Sequence, residues 1–102
     1  MKAVVVLTTT PDLKTARSIA KTLVQKKLAG CVSLLENLES VYRWKGKPET
    51  AREVLVLIKT PQKNFSRVKN FIKANHPYEV PEIIAIPIAQ ASRKYLNWLS
   101  GL

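Results

Sequence analysis

The chain has 102 residues, 46% of them hydrophobic, with three glycines and one cysteine. That is one domain (residues 1–102) able to hide roughly 65% of its extended-chain surface, which excludes a disordered chain and a disulfide framework. Seventeen Lys and Arg against seven Asp and Glu give +10, which favours solubility and is compatible with anionic partners without naming one.

In chain order, Ala3 to Leu7 opens an apolar, β-branched run that ends at Thr10-Pro11. It is too short for a secretory core or a membrane span, so the expectation is a cytoplasmic protein with no membrane partner. Val4 to Pro11 is matched fifty residues later by Val54 to Pro61, and each run closes on Thr-Pro. Unbroken runs of this kind suit central strands that are covered on both faces or by a partner. Thr as N-cap and Pro at the first helical position predict that a helix follows each strand directly.

Leu13, Ala16, Ile19, Ala20, Leu23 and Val24 form the stripe of the first helix. Lys14, Arg17, Lys21, Lys26 and Lys27 fall outside that stripe. An extended segment from Ala29 to Leu35 follows, then Ser40 to Lys47, in which Tyr42 and Trp44 share one face opposite Val41, Arg43 and Lys45. This second piece extends the second strand, with a turn at Gly46 to Glu49 leading into the third. Phe65, Val68, Phe71 and Ile72 make the second apolar stripe, with Lys63, Arg67, Lys69 and Lys73 outside it. Asn75 is a candidate left-handed cap before Pro77 stops the helix. Ile83 to Ala89 is a last strand placed at an edge by Pro87. Ser92 caps a short third helix carrying Tyr95, Trp98 and Leu99. The order βαββαβ predicts an α+β ferredoxin-like sandwich with its helices on one face and a short C-terminal helix.

Between the second helix and the last strand lies His76-Pro77-Tyr78-Glu79-Val80-Pro81-Glu82. Its two prolines stiffen a loop rich in polar groups, which fits either a binding segment or a structural connector. His76 is the only imidazole, Cys31 the only thiol and Met1 the only thioether, so donors for a metal are scarce. Cys31 reads as a small buried hydrophobe in its strand. Glu53 and Lys59 share one face of the third strand, six residues apart, too far for a direct pair.

Five segments in register resemble the CutA divalent-cation tolerance proteins. They are Leu28 to Ser33, Tyr42 to Lys47, Glu53 to Thr60, His76 to Ile84 and Tyr95 to Trp98. The resemblance spans nearly the whole chain and implies a tight, PII-like homotrimer with sheet edges paired between subunits. It further implies a non-enzymatic, cytoplasmic or organellar role in the response to divalent metals. His76 matches the family histidine that is a candidate copper ligand. Asn75 and Thr8 stand where some members carry a second histidine and a cysteine. The resemblance also implies an inter-subunit cleft formed by Cys31, Tyr42, Trp44, Glu53, Lys59, His76, Tyr78 and Trp98. Copper or another divalent cation is the expected ligand, and no organic cofactor is expected. The alternative is a PII-like regulator binding a small anionic ligand in that cleft, served by Lys59.

Rival uses of the scaffold lack their key residues. An RNA-recognition sheet stacks bases on aromatics of its central strands, and Val4 to Thr10 and Val54 to Thr60 have none; no nucleic-acid partner is expected. A phosphatase of this fold needs an anion cradle after the first strand, where Thr8-Thr9-Thr10-Pro11-Asp12 offers neither Gly nor Arg. A heavy-metal chaperone needs Cys-x-x-Cys, and one cysteine excludes it.

Overall fold

The computed structural model describes residues 1–102. Its elements are β1 (Ala3–Thr10), α1 (Leu13–Gln25), β2 (Cys31–Trp44), β3 (Lys47–Pro61), a 3-10 turn (Gln62–Asn64), α2 (Phe65–Asn75), β4 (Ile84–Pro87) and α3 (Arg93–Ser100). The four strands form one antiparallel sheet in the order β2-β3-β1-β4, the ferredoxin-like arrangement expected. The two apolar runs are its central strands, and Pro87 ends the edge strand β4 opposite Val4.

Strand alternation divides the sheet into unlike faces. Val4 and Val6 of β1 and Val54, Val56 and Ile58 of β3 meet Ala16, Ile19 and Leu23 of α1 and Val68 and Ile72 of α2, and this cluster is the core. The other face presents Val5, Leu7, Leu55 and Leu57, flanked by Leu35, Ile84 and Ile86, and the last three are exposed. Of the two coverings that the apolar runs allow, the helices supply one face, while within the chain the apolar residues of the other stay solvent-accessible.

Several local expectations are corrected. Helix α1 is capped by Asp12, whose carboxylate accepts from the Thr15 N–H at 2.7 Å. Thr10 remains in β1 and donates to the Asp12 carbonyl. Thr60 and Pro61 likewise close β3, and α2 begins after the 3-10 turn with no side-chain cap. The Thr60 hydroxyl instead donates to the Leu28 carbonyl at 2.6 Å, joining β3 to the segment behind α1. Val24, expected on the apolar stripe, is exposed. Asn75 is not left-handed; the chain leaves α2 through an extended His76. The last strand is only Ile84–Pro87, shorter than the run suggests.

Strands β2 and β3 run past the end of β1, because β1 pairs with β3 only from Val54 to Pro61. Beyond that point they form a two-stranded arm, with a bulge between Leu35 and Leu38 where Asn37 takes φ 63°. The turn comes earlier than expected: Lys45 (φ 50°) and Gly46 (φ 79°) make a two-residue hairpin of the type that matches strand twist. The arm stretches the molecule to 44 Å, and its radius of gyration, 14.1 Å, exceeds the ~13 Å usual for this length. Isolated two-stranded hairpins are marginal in water, yet this one exposes Val41, Tyr42 and Trp44.

Candidate functional site

Where the arm leaves the sheet, the His76–Glu82 loop folds against it and encloses a cleft of about 750 Å³. Tyr42, Arg43 and Trp44 line it from the arm, Glu53 and Thr9 from the sheet, and Tyr78, Glu79 and Glu82 from the loop. Pro77 and Pro81, also in the lining, limit the conformations of this wall.

His76 fixes the loop in place. Its Nδ1 accepts from the Tyr78 backbone N–H at 3.1 Å, so Nε2 carries the proton and donates to the Thr9 carbonyl at 2.6 Å. The partners thus determine the tautomer. Both nitrogens are engaged within the chain, and the one free lone pair of a neutral imidazole is already used. A metal ligand needs that lone pair, so His76 as placed is a connector between loop and β1 and does not fit a metal without rearrangement. No three His, Cys, Asp or Glu side chains come together to hold a metal ion anywhere in the chain, the cleft included. Thr8 is fully buried in the sheet and offers no accessible donor, while Asn75, whose amide nitrogen donates to the Phe71 carbonyl, has no imidazole to offer.

The latch positions Tyr78. Its ring lies 4.8 Å from the imidazole, and its hydroxyl donates to Glu53 Oε2 at 2.7 Å. Glu53 is only 6% exposed, a carboxylate that is nearly buried and borders the cleft. Burial first, then the hydrogen bond to Glu53, hold the Tyr78 phenol well above its ordinary range.

The remaining residues expected in the inter-subunit cleft, Cys31, Lys59 and Trp98, lie at the other end of the sheet within this chain. Cys31 pairs with Lys59 across β2 and β3, at the far end of the sheet from Trp44. Lys59 Nζ donates to Ser33 Oγ at 2.7 Å and lies 3.9 Å from Cys31 Sγ. Cys31 is therefore half-buried in polar company, not the buried hydrophobe expected. Trp98, which is 53% exposed, and Leu99 of α3 sit over Gly30 beside this cluster, where a Cβ would come within 2.6 Å of Leu99 Cδ1. Six residues separate Glu53 from Lys59 on β3, about 20 Å at the rise of a strand. The eight residues thus fall into an acidic, aromatic group at the arm and a lysine–thiol group at the opposite end. Ser33 escaped the sequence reading although it shares the parity of Cys31. The Thr9 carbonyl left no sequence signal, being a backbone group.

The chain matches the family model described as CutA1 divalent ion tolerance protein over residues 4–101. It is 50% identical over 95 residues to the divalent-cation tolerance protein CutA of Thermus thermophilus, covering 93% of this chain and 92% of that one. The chloroplastic protein CutA of Arabidopsis thaliana is 43% identical over 97% of this chain; the chain spans about half, 54%, of that relative's length. The crystal structure of CutA1 from Oryza sativa superposes with a TM-score of 0.96 at 40% identity, covering 99% of this chain and 93% of that one.

Proposed function

The chain belongs to the CutA1 divalent ion tolerance family, and on that premise we propose a cytoplasmic, non-enzymatic homotrimer that binds copper or other divalent cations weakly and responds to them. The observation that carries this reading is the acidic lining of the cleft, although no three of its ligating groups converge within one copy. In a chain of net charge +10, Glu53, Glu79 and Glu82 line one cleft with Arg43 as the only base. Carboxylate oxygens suit hard divalent ions and, with few donors, weak binding. Association is supported by the uncovered apolar face of the sheet and by the unsupported arm. Contiguous exposed apolar surface of that kind marks an interface. A threefold, head-to-tail contact joins unlike surfaces of neighbouring copies, which would let the arm of one copy approach the Lys59 end of the next.

Sedimentation followed by Cu(II) and Zn(II) titration tests both parts. The expected result is a trimer whose ion binding weakens in Glu79→Gln/Glu82→Gln. With both nitrogens of His76 engaged, His76→Ala is expected to leave the copper titration unchanged, and a monomer would remove the assembly. A second reading, a PII-like regulator of small anions, is favoured by the Lys59–Ser33 contact and predicts saturable nucleotide binding that is lost in Lys59→Met.

A further inference from the structure

The covering helices carry a charge pattern that works against their own stability. No Asp or Glu stands within α1 or α2, whereas α1 holds Lys14, Arg17 and Lys21 and α2 holds Arg67, Lys69 and Lys73. Lys14 and Arg17, Arg17 and Lys21, and Lys69 and Lys73 stand three or four residues apart, the spacing at which like charges on a helix repel. The helix dipole favours Lys26 and Lys27 behind α1, but it opposes Lys14 and Arg67, which lie in first turns that hold no acid. Six of the seven acids lie instead on β2, β3 and the His76–Glu82 loop. The two helices join into one basic face. The Lys26 ammonium lies 5.4 Å from the centre of the Phe71 ring of α2, and Asn64, just ahead of α2, donates to the Leu28 carbonyl behind α1. Lys14, Arg17, Lys21 and Lys73 are exposed, and the one hydrogen bond of the Arg67 guanidinium goes to a neutral group, Asn64 Oδ1, at 2.7 Å. This face lies opposite the apolar side of the sheet, so it stays outside whether the chain is single or assembled through that side.

The composition of the face selects among anions. Val24 is the only large hydrophobic residue of either helix that is exposed. Phe65 and Phe71 are half-buried beneath Lys69 and Lys26. A protein partner is anchored by aromatic or apolar side chains in pockets, a membrane by apolar insertion, and a single nucleic-acid strand by stacking on exposed rings. A duplex backbone asks only for positive charge held on a rigid surface. Helix α1 has 13 residues and is about 20 Å long, a distance over which a duplex carries roughly a dozen phosphate charges. The absence of aromatics on the central strands removes base stacking on the sheet and does not bear on phosphate binding by the helices.

We propose that the α1–α2 face binds duplex nucleic acid through its phosphates, without reading bases. The test is fluorescence anisotropy of the full chain, in EDTA, with labelled DNA and RNA duplexes of about 20 base pairs, two helical turns. At least one duplex is expected to saturate at about 50 mM salt and to lose roughly a hundredfold to a thousandfold in affinity at about 200 mM, as for four to six neutralised phosphates. Arg17→Gln/Lys21→Gln removes two charges and one repulsive pair. It is expected to weaken binding about tenfold, to lower the salt slope by about two, and to unfold in urea no earlier than the wild type. Lys45→Gln/Lys47→Gln removes the same net charge at the tip of the arm and is expected to leave the slope unchanged. Absence of duplex binding at low salt, equal weakening by the two pairs of substitutions, or tighter binding to phosphatidylserine vesicles or to polyglutamate than to either duplex overturns the proposal. The metal reading separates from it: a trimer that binds copper and no duplex removes only this inference, and one that binds a duplex and no metal removes only the other.

Discussion

At Glu53 the uncovered face of β3 carries a nearly buried carboxylate held by one phenol, and six residues later the same face carries Lys59, held by a hydroxyl and close to a thiol. Between them lie Leu55 and Leu57, half-buried and uncovered by any helix. The two ends differ in support as well as in charge. The Glu53 end is closed by a proline-stiffened loop latched through His76, and the Lys59 end by a helix resting on Gly30. Residues of like chemical interest can thus share a strand face without meeting within one chain. Parity along a strand fixes the side a residue faces, while distance along it decides what it can touch.

The largest effect is expected from the apolar stretch that separates the two ends. In Leu57→Asp a carboxylate would have to lose its water whenever that face is covered, and no base of the chain is placed opposite it: its cross-strand neighbours are Leu7 and Ser33. Association is expected to fall by at least about a hundredfold, the result of several kcal/mol of uncompensated desolvation, and sedimentation should register monomers with native circular dichroism. A trimer that tolerates Leu57→Asp would place the interface elsewhere and leave the two ends unrelated.

Next is the support of the Lys59 end. Gly30 donates its N–H to the Lys59 carbonyl, and Leu99, fully buried, occupies the space its missing side chain leaves. Gly30→Ala puts a Cβ 2.6 Å from the end of the Leu99 side chain, which is fully buried and must shift, and about 1–3 kcal/mol of destabilisation is expected in urea unfolding. The same variant should leave the Glu53 cleft untouched. If it alters ligand binding there, the two ends communicate within one chain.

Much of this architecture was legible because it rests on apolar periodicity. The paired Val/Leu/Ile runs became the central strands, and the stripes at Leu13 and Phe65 became the covering helices, since removing these faces from water supplies most of the free energy that favours folding. Pro87 marked the edge strand for a simple reason, the missing donor. Local hydrogen bonding was less legible. Thr10 and Thr60 suited the N-cap role by residue type, but the strands continue through both, and Asp12 is placed to receive the Thr15 N–H. The bulge at Asn37 and the turn at Lys45–Gly46 depend on pairing across strands, which a single sequence does not display. For the site, sequence reading identified Glu53, Tyr78 and His76 but not that the imidazole is spent on the Thr9 carbonyl and the Tyr78 amide. The division of these residues into two groups within one chain follows from spacing along β2 and β3, which the six-residue separation of Glu53 and Lys59 already showed.

The smallest effects sharpen the contrast in how each end holds its polar group. Tyr78→Phe removes the only hydrogen bond of a nearly buried carboxylate, and about 1–2 kcal/mol is expected from chemical denaturation near neutral pH. Lys59→Met removes a contact to Ser33 at a half-exposed position, and solvent screening keeps its expected cost below about 1 kcal/mol. Should Lys59→Met prove the more costly of the two, the ranking of the ends would be reversed.

Alkaline unfolding isolates the phenol. Burial and the Glu53 hydrogen bond raise the Tyr78 phenol from its ordinary value of 10.0, so the folded chain keeps this proton above the pH at which the unfolded chain releases it. The stabilisation is therefore complete below pH ~10 and declines as pH rises beyond it, with a slope of at most about 1.4 kcal/mol per pH unit for one group. Partial exposure of Tyr78 keeps the real slope lower. Tyr95, at the Lys59 end, is also raised, by burial first and then by Cys31, but no hydrogen bond to a carboxylate holds it. Stability of wild type, Tyr78→Phe and Tyr95→Phe measured from pH 9 to 11 separates the two. The gap between wild type and Tyr78→Phe should narrow as pH rises, and more steeply than the gap for Tyr95→Phe. Equal narrowing would mean that burial alone governs both phenols, in which case Glu53 is no firmer an anchor for Tyr78 than the sheet is for Tyr95.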